Sequence, residues 1–237
     1  MRASHSKAEW IEDAKKRAAL EAVKHVKNGY VIGLGSGTTA SHAIREIGKI
    51  MLQRHWDILG VPTSNQAFLL ATEFNIPITS LDEHPRLDLT IDGVDQIDPD
   101  LNMIKGMGGA LTREKIVASA SKQNIIIADE TKLVNKLGTN HPVPVEVLPF
   151  ALGSATLKIK RFGMRPILRT GTGKVGPIVT DNGNFIIDLW GKPIDNPREL
   201  DTKLRSIPGI VETGLFLGIA DIVYAGTKTT VEKIQRK

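Results

Sequence analysis

The chain has 237 residues, 41% hydrophobic and 24% charged, enough to bury a sizeable core in one large domain or two small ones. It holds no cysteine, which excludes disulfides, thiolate metal sites and a thiol nucleophile. The net charge of +5 is dispersed among acids, with only 5% aromatics, so the reading is a mildly basic surface suited to anionic metabolites, with no nucleic-acid partner. The opening MRASHSKAEWIEDAKK has no apolar leader core and no apolar run is long enough for a membrane span, so we expect a soluble, cytoplasmic protein with no membrane contact.

Residues 8–28 carry Ile11, Ala14, Ala18, Val23 and Val26 at helical spacing, with Asn28-Gly29 as the predicted stop. Tyr30–Leu34 reads as a strand, and GSGTTASHAIREIGKIM as a glycine turn opening a helix. DILGVPTS reads as a strand, NQAFLLATEFN as a helix and PITSL as a further short strand; LDLTID, LTREKIVASASK and NIIIAD continue as strand, helix and strand. This alternation predicts an α/β fold: a Rossmann-like parallel sheet with helices on both faces. Near residue 140 the rhythm changes to strand (PVEVLPF), helix (GSATLKIKRF), strand (RPILRT), a hairpin PIVTDNGNFIIDLW about Asp181-Asn182-Gly183, helix (PRELDTKLRSI) and strand (GIVETGLF). That order predicts a ferredoxin-like α+β domain. IADIVYAGT then reads as a strand that can return to the first sheet, so the predicted domains are 1–139 with 212–237, and an inserted 140–211.

Polar groups stand just past four predicted strands: Gly35–Thr39, Thr63-Ser64, Asp92–Asp95 and Asp129–Lys132. Ligands of open parallel sheets bind outside the carboxyl ends of the strands, so strands sharing one sheet would bring these groups to one crevice. GLGSGTT, between a strand and a helix, suits a phosphate held by backbone N–H groups and by the hydroxyls of Ser36, Thr38 and Thr39. It is no dinucleotide fingerprint, since Thr38 stands at the third glycine position, and no P-loop, since no Lys follows Gly37. GTGK at 171–174 is no P-loop either: Leu168 precedes it where a glycine is needed, and Val175 follows the lysine.

The stretch 88–115, DLTIDGVDQIDPDLNMIKGMGGALTREK, concentrates two acids at a strand end, a lysine, a glycine-rich turn and a glutamate on the following helix. Asp98 and Asp100 read as a solvated turn. Asp92 and Asp95 find no histidine or third carboxylate at ligand spacing, and the six histidines (5, 25, 42, 55, 84 and 141) form no ligand pattern, so neither a metal nor any other cofactor is expected.

DGVDQID, KGMGGALTREK and GLGSGTTA resemble the motifs of ribose-5-phosphate isomerase type A, and IADETK, PVPVEVLPFA, VTDNGNFIID and IPGIVETGLF extend the resemblance over nearly the whole chain. It departs at Val94 (usually Ala), Gln96 (usually Glu), Met107 (usually Gly) and Ala67 (usually a hydroxyl residue). The resemblance implies cofactor-free interconversion of D-ribose 5-phosphate and D-ribulose 5-phosphate in the non-oxidative pentose phosphate pathway, by a homodimer or homotetramer. Glu114 then resembles the proton acceptor, with Lys105 and the N–H groups of Gly106, Met107 and Gly108 at the enediolate oxygen. Asp92 and Asp95, with Gly93 and Val94, would bind sugar hydroxyls, one of the two acids assisting ring opening. Ser36, Gly37, Thr38, Thr39, Lys132 and Lys15 would bind the phosphate. An amino-sugar phosphate deaminase and a non-catalytic sugar-phosphate sensor remain the rival readings.

Overall fold

The computed structural model describes residues 7–173 and 175–236; His5 and the Lys174 of GTGK lie outside the described residues. In chain order the elements are α1 (Lys7–Val23), β1 (Val31–Leu34), α2 (Gly37–Arg54), β2 (Leu59–Pro62), α3 (Asn65–Glu73), β3 (Leu89–Gly93), β4 (Gln96–Ile97), β5 (Met103–Ile104), α4 (Leu111–Ser119) and β6 (Asn124–Asp129). There follow β7 (Val143–Val147), α5 (Leu152–Lys160), β8 (Arg165–Leu168), β9 (Phe185–Trp190), α6 (Pro197–Arg205), β10 (Ile210–Thr213), β11 (Leu215–Phe216), β12 (Ile222–Gly226) and β13 (Val231–Gln235). Among the described residues no helix is long and apolar enough to cross a membrane.

Two compact units divide the chain. The first takes the chain up to Val94, Ile116–Leu133 and the chain from Ile219; the second takes Asp95–Lys115 and Val134–Gly218. The second is therefore larger than the predicted 140–211. Asp95–Lys115 belongs to it because β5 pairs with β11 and the Lys105 N–H donates to Gly214 O.

The first unit is a six-stranded sheet in the order β2-β1-β3-β6-β12-β13, parallel except for β13. Ile32, Leu34, Leu89, Ile91, Ile125 and Ile127 project from the strands into one core with Ile44 and Ile47 of α2 and Ala18 and Ala22 of α1. On the other face Val117 of α4 packs with Val61 and Leu87. Gly33 is needed there, because a Cβ at this position would lie 2.2 Å from the Thr90 hydroxyl and 2.5 Å from Val117. As expected, 219–227 returns to this sheet, where β12 runs parallel to β6. The edge strand β13, whose apolar positions are only Val231 and Ile234, went unpredicted.

Two predicted elements differ here. α1 ends at Val23 rather than Asn28, because Val26 N–H bonds back only three residues, to Val23 O, and tightens the turn. Gly29 (φ 80°) instead turns the chain toward β1 and donates to Asp57 O. PITSL forms a single bridge, Ile78 to Gly60, since Pro77 has no N–H and the Thr79 side chain turns to Glu83 and His84.

The second unit is a four-stranded antiparallel sheet in the order β10-β7-β9-β8, the ferredoxin-like arrangement, with α5 and α6 as its two crossovers. Its core joins Val143, Val145 and Val147 to Ile187, Leu189, Ala155, Ile159 and Leu204. The predicted hairpin is only half a ladder: β9 has both edges taken by β7 and β8, leaving 177–180 the bridges Thr170–Pro177 and Val179–Phe185. The turn itself is present, Gly183 (φ 80°) donating to Thr180 O. GIVETGLF breaks at Gly214, where any Cβ would lie 2.3 Å from Lys105 O, and β10 joins the four-stranded sheet while β11 joins a three-stranded one, β11-β5-β4.

Candidate active site

In the first unit the chain leaves β1 for β2 on one side and returns to β3 on the other. This is a topological switch point, where open parallel sheets take their ligands. β2, β1, β3 and β6 are consecutive neighbours; Thr63-Ser64 and Gly35–Thr39 follow β2 and β1, while Asp92–Val94 and Asp129–Lys132 begin in the last residues of β3 and β6, and Asp95 of the predicted group belongs to the second unit. Asp92 Oδ1 accepts the N–H groups of Ser36 (3.0 Å) and Gly93 (2.7 Å), tying the β1 loop to β3. Gly35 allows this approach, since a Cβ there would lie 2.3 Å from the same carboxylate oxygen.

Ser36 precedes α2 without capping it; its hydroxyl donates instead to Ser64 Oγ at 2.6 Å and lies 2.8 Å from Thr63 Oγ1. The hydroxyl expected to face a phosphate is thus spent on the neighbouring loop, whereas the first turn of α2 keeps the helix-terminal N–H groups of Thr38 and Thr39 and its dipole. Gly37 (φ 90°) donates to Gln66 Oε1 at 2.8 Å, and Gln66 went unnoticed in the sequence. Thr38 is exposed and Thr39 half-buried. Lys15 reaches Thr38 Oγ1 at 3.1 Å, so α1 does bring its lysine to this loop. Glu12 braces it, 3.4 Å from Lys15 Nζ and 2.7 Å from His42 Nε2. Burial alone would raise the Glu12 pKa, but the hydrogen bond with His42 and the charge of Lys15 outweigh it and lower it. Lys132 is half-buried, and its ammonium makes no hydrogen bond or ion pair with any described residue. Among the described residues no three His, Asp or Glu side chains converge as metal ligands would.

In the second unit Lys105 and Glu114 are both buried, 3% and 5% exposed, with Nζ 3.4 Å from Oε1. Lys105 leads into the turn 106–109, and Glu114 sits in the first turn of α4. Gly106 (φ 110°) and Gly109 (φ 80°) hold left-handed conformations, and a Cβ on Gly106 would press on Leu111 at 2.9 Å. Lys105 Nζ lies 5.5 Å from the Phe216 ring centroid and Lys115 Nζ 4.6 Å. Lys115 is structural: its ammonium donates to Glu212 (2.8 Å), Thr213 O (2.7 Å) and Leu215 O (2.8 Å). Burial lowers its pKa against the opposing pull of Glu212.

Asp95 Oδ2 accepts the Met107 N–H at 2.9 Å, so this N–H, assigned from the sequence to the enediolate oxygen, is already committed. Asp98 is half-buried and anchors its turn, accepting the N–H groups of Asp100 and Asn102 at 3.0 and 2.9 Å, and Asp100 is exposed. Two further centres carried no local signal. Glu146 on β7, fully buried, accepts bonds from Thr112 on α4, Thr180 (2.9 Å), Asn182 (3.1 Å) and Asn184 (2.8 Å). Arg169 pairs with Asp188 through two nitrogens while Nη1 donates to Gly106 O (2.8 Å) and Met107 O (3.0 Å).

The family model of ribose 5-phosphate isomerase A (phosphoriboisomerase A) matches residues 59–230. The chain belongs to this family. A ribose-5-phosphate isomerase A of Pyrococcus horikoshii is 46% identical over 227 residues, 95% of this chain and 99% of the relative. One of Methanothermobacter thermautotrophicus is 48% identical over 213 residues, covering 90% and 93%. A D-ribose-5-phosphate isomerase solved in complex with phospho-erythronic acid superposes with a TM-score of 0.93 at 46% identity, covering 95% of this chain and 99% of that one. The ribose 5-phosphate isomerase A of Methanocaldococcus jannaschii gives 0.92 at 42%, with the same coverage.

Against the ribose-5-phosphate isomerase A pattern, the four departures find different settings. Gln96 is buried and uses both ends of its amide, donating to Thr139 O (2.8 Å) and accepting the Gly138 N–H (2.9 Å). A carboxylate has no donor for the first of these bonds. Ala67 is fully buried within α3, and Met107 is 44% exposed on the glycine turn. Nothing in the structure explains Val94.

Proposed function

We propose that Glu114 moves the proton when this isomerase interconverts D-ribose 5-phosphate and D-ribulose 5-phosphate. The observation carrying the assignment is the buried Glu114–Lys105 pair beside the glycine turn. From the open-chain aldose Glu114 takes the C2 proton, and the C–H electron pair forms the C1=C2 bond as O1 gains the charge. The carboxylic acid then returns the proton to C1, while the C2 hydroxyl becomes the ketone carbonyl and its proton passes to O1. A carboxylate held in place beside a fixed cation and shielded from bulk water can serve as such a base. Lys105 steadies the enediolate oxygen as a fixed cation. Asp92 and Asp95 receive the sugar hydroxyls and one of them assists ring opening, with Gly93 and Val94 as the backbone beside them.

The phosphate falls to the N–H groups of Thr38 and Thr39, their two hydroxyls, Lys15 and Lys132. Lys132→Ala tests this. The phosphate contact is made equally in ground and transition states, so KM for ribose 5-phosphate should rise about ten- to a hundredfold at nearly constant kcat. A large fall in kcat at unchanged KM would move Lys132 into the proton-transfer step.

The protein works in the cytoplasm, in the non-oxidative pentose phosphate pathway, as a homodimer or homotetramer. Exposed apolar side chains of the second unit, Leu148, Phe150 and Leu157, support self-association. Light scattering at micromolar concentration should give twice or four times the chain mass of 25.8 kDa, and a monomer would refute it.

A further inference from the structure

The buried guanidinium of Arg169 stands outside every role given above. It is 9% exposed, it is held by a two-nitrogen fork to Asp188, and its remaining nitrogen takes two successive main-chain carbonyls, Gly106 O at 2.8 Å and Met107 O at 3.0 Å. Nη2 also lies 3.7 Å from Met107 Sδ. A cation aimed at two consecutive carbonyls fixes the rotation of both peptide planes. In a trans peptide the N–H points opposite the C=O. The Gly106–Met107 plane therefore turns its N–H away from Arg169, and Asp95 Oδ2 accepts it at 2.9 Å. The Met107–Gly108 plane turns its N–H away likewise, and the Gly108 N–H makes no hydrogen bond with any described residue. Gly108 does not hold a left-handed conformation, and a Cβ at this position would meet no atom within 4 Å, so neither strain nor crowding requires glycine there.

We propose that Arg169, oriented by Asp188, is a positioning residue for the isomerisation: it sets the Met107–Gly108 peptide so that the Gly108 N–H donates to the sugar's developing oxyanion. The arrangement also strengthens that donor, because a carbonyl bonded to a cation polarises the N–H of its own peptide. Asp188 fixes the orientation of the guanidinium plane against the turn and balances its buried charge. This rests on the Glu114 mechanism only for the existence of an oxyanion; the assignment of the Gly108 N–H is separate.

Arg169→Lys keeps the charge but loses the fork and one of the two carbonyl bonds. It should lower kcat roughly ten- to a hundredfold, with KM for ribose 5-phosphate within about threefold of the parent. Binding of a phosphorylated aldonic acid, whose carboxylate carries a permanent anion, should weaken by a similar factor. A turnover within threefold of the parent overturns the proposal, as does a parallel loss of kcat, KM and thermal stability, which would mark a structural residue only. If Arg169→Lys does not fold, Asp188→Asn decides: it keeps the guanidinium but loosens the fork that orients it, so at a temperature where it is folded its kcat should be at least tenfold lower with KM within about threefold, and full activity overturns the proposal. Parent turnover on ribose 5-phosphate is measured alongside. An inactive parent sinks the isomerase mechanism itself, whereas an active parent with unaffected variants sinks only the role of Arg169.

Discussion

Glu114→Gln should lower kcat by about 10²–10⁴, the usual cost of losing a general base, and leave the affinity for ribose 5-phosphate within a few-fold. The amide keeps the shape of the side chain but cannot accept the C2 proton. Exchange of that proton with solvent deuterium, followed by NMR, should fall in parallel with turnover. The structure adds a cost that sequence reasoning left out. Lys105 lies 3.4 Å from Glu114 and is 3% exposed, so a neutral partner removes part of the charge that balances its ammonium. An amide oxygen can still accept one bond and Phe216 lies 5.5 Å from the charge, so a loss on the order of 1–3 kcal/mol is expected. Melting temperature is therefore measured first, and kinetics at a temperature where the variant is folded. Turnover within a few-fold of the parent would remove Glu114 as the base. A parent that binds the sugar phosphate yet neither turns over nor exchanges would favour the sensor reading.

Strands were legible wherever burial on both faces forces a continuous apolar run, as in Ile125–Ala128. Glycine was legible too: Gly35 and Gly106 stand where a Cβ would meet Asp92 or Leu111. Asp92, Lys105 and Glu114 stood out because charges set between glycines and apolar residues have no reason to be there as solvated surface. What the sequence hid is what distance along the chain hides. Arg169 meets Gly106 across 63 residues, and Gln96 meets Thr139 across 43, with no local pattern to join them. Glu146 alternates with Val145 and Val147 like the polar side of a half-exposed strand, and only the tertiary cover of Thr112, Thr180, Asn182 and Asn184 buries it. β4, β5 and β11 have two residues each, too few to show a period. Ser36 and Met107 were placed correctly in the chain but given bonds that Ser64 and Asp95 already take.

Lys105→Met should damage activity and stability together, and through separable causes. Methionine keeps most of the length of the side chain while giving up the ammonium that stands 5.5 Å from the Phe216 ring centroid. Loss of the fixed cation at the enediolate oxygen should lower kcat about 10²–10³-fold. Independently, the change leaves the Glu114 carboxylate buried without its cation, and breaking a buried pair from one side costs about 3–5 kcal/mol. The double variant Lys105→Met, Glu114→Gln buries no net charge, and should recover most of the lost stability while remaining as inactive as the worse single variant. Recovery of folding without recovery of turnover is the signature of two residues that form one charged unit in the fold and hold different duties in the chemistry. If Lys105→Met unfolds at the same denaturant concentration as the parent at every pH, the pair is solvated in the working enzyme and the buried-base mechanism loses its premise. If stability falls as expected but kcat stays within a few-fold of the parent, Lys105 serves the fold alone and the oxyanion must find its positive partner elsewhere.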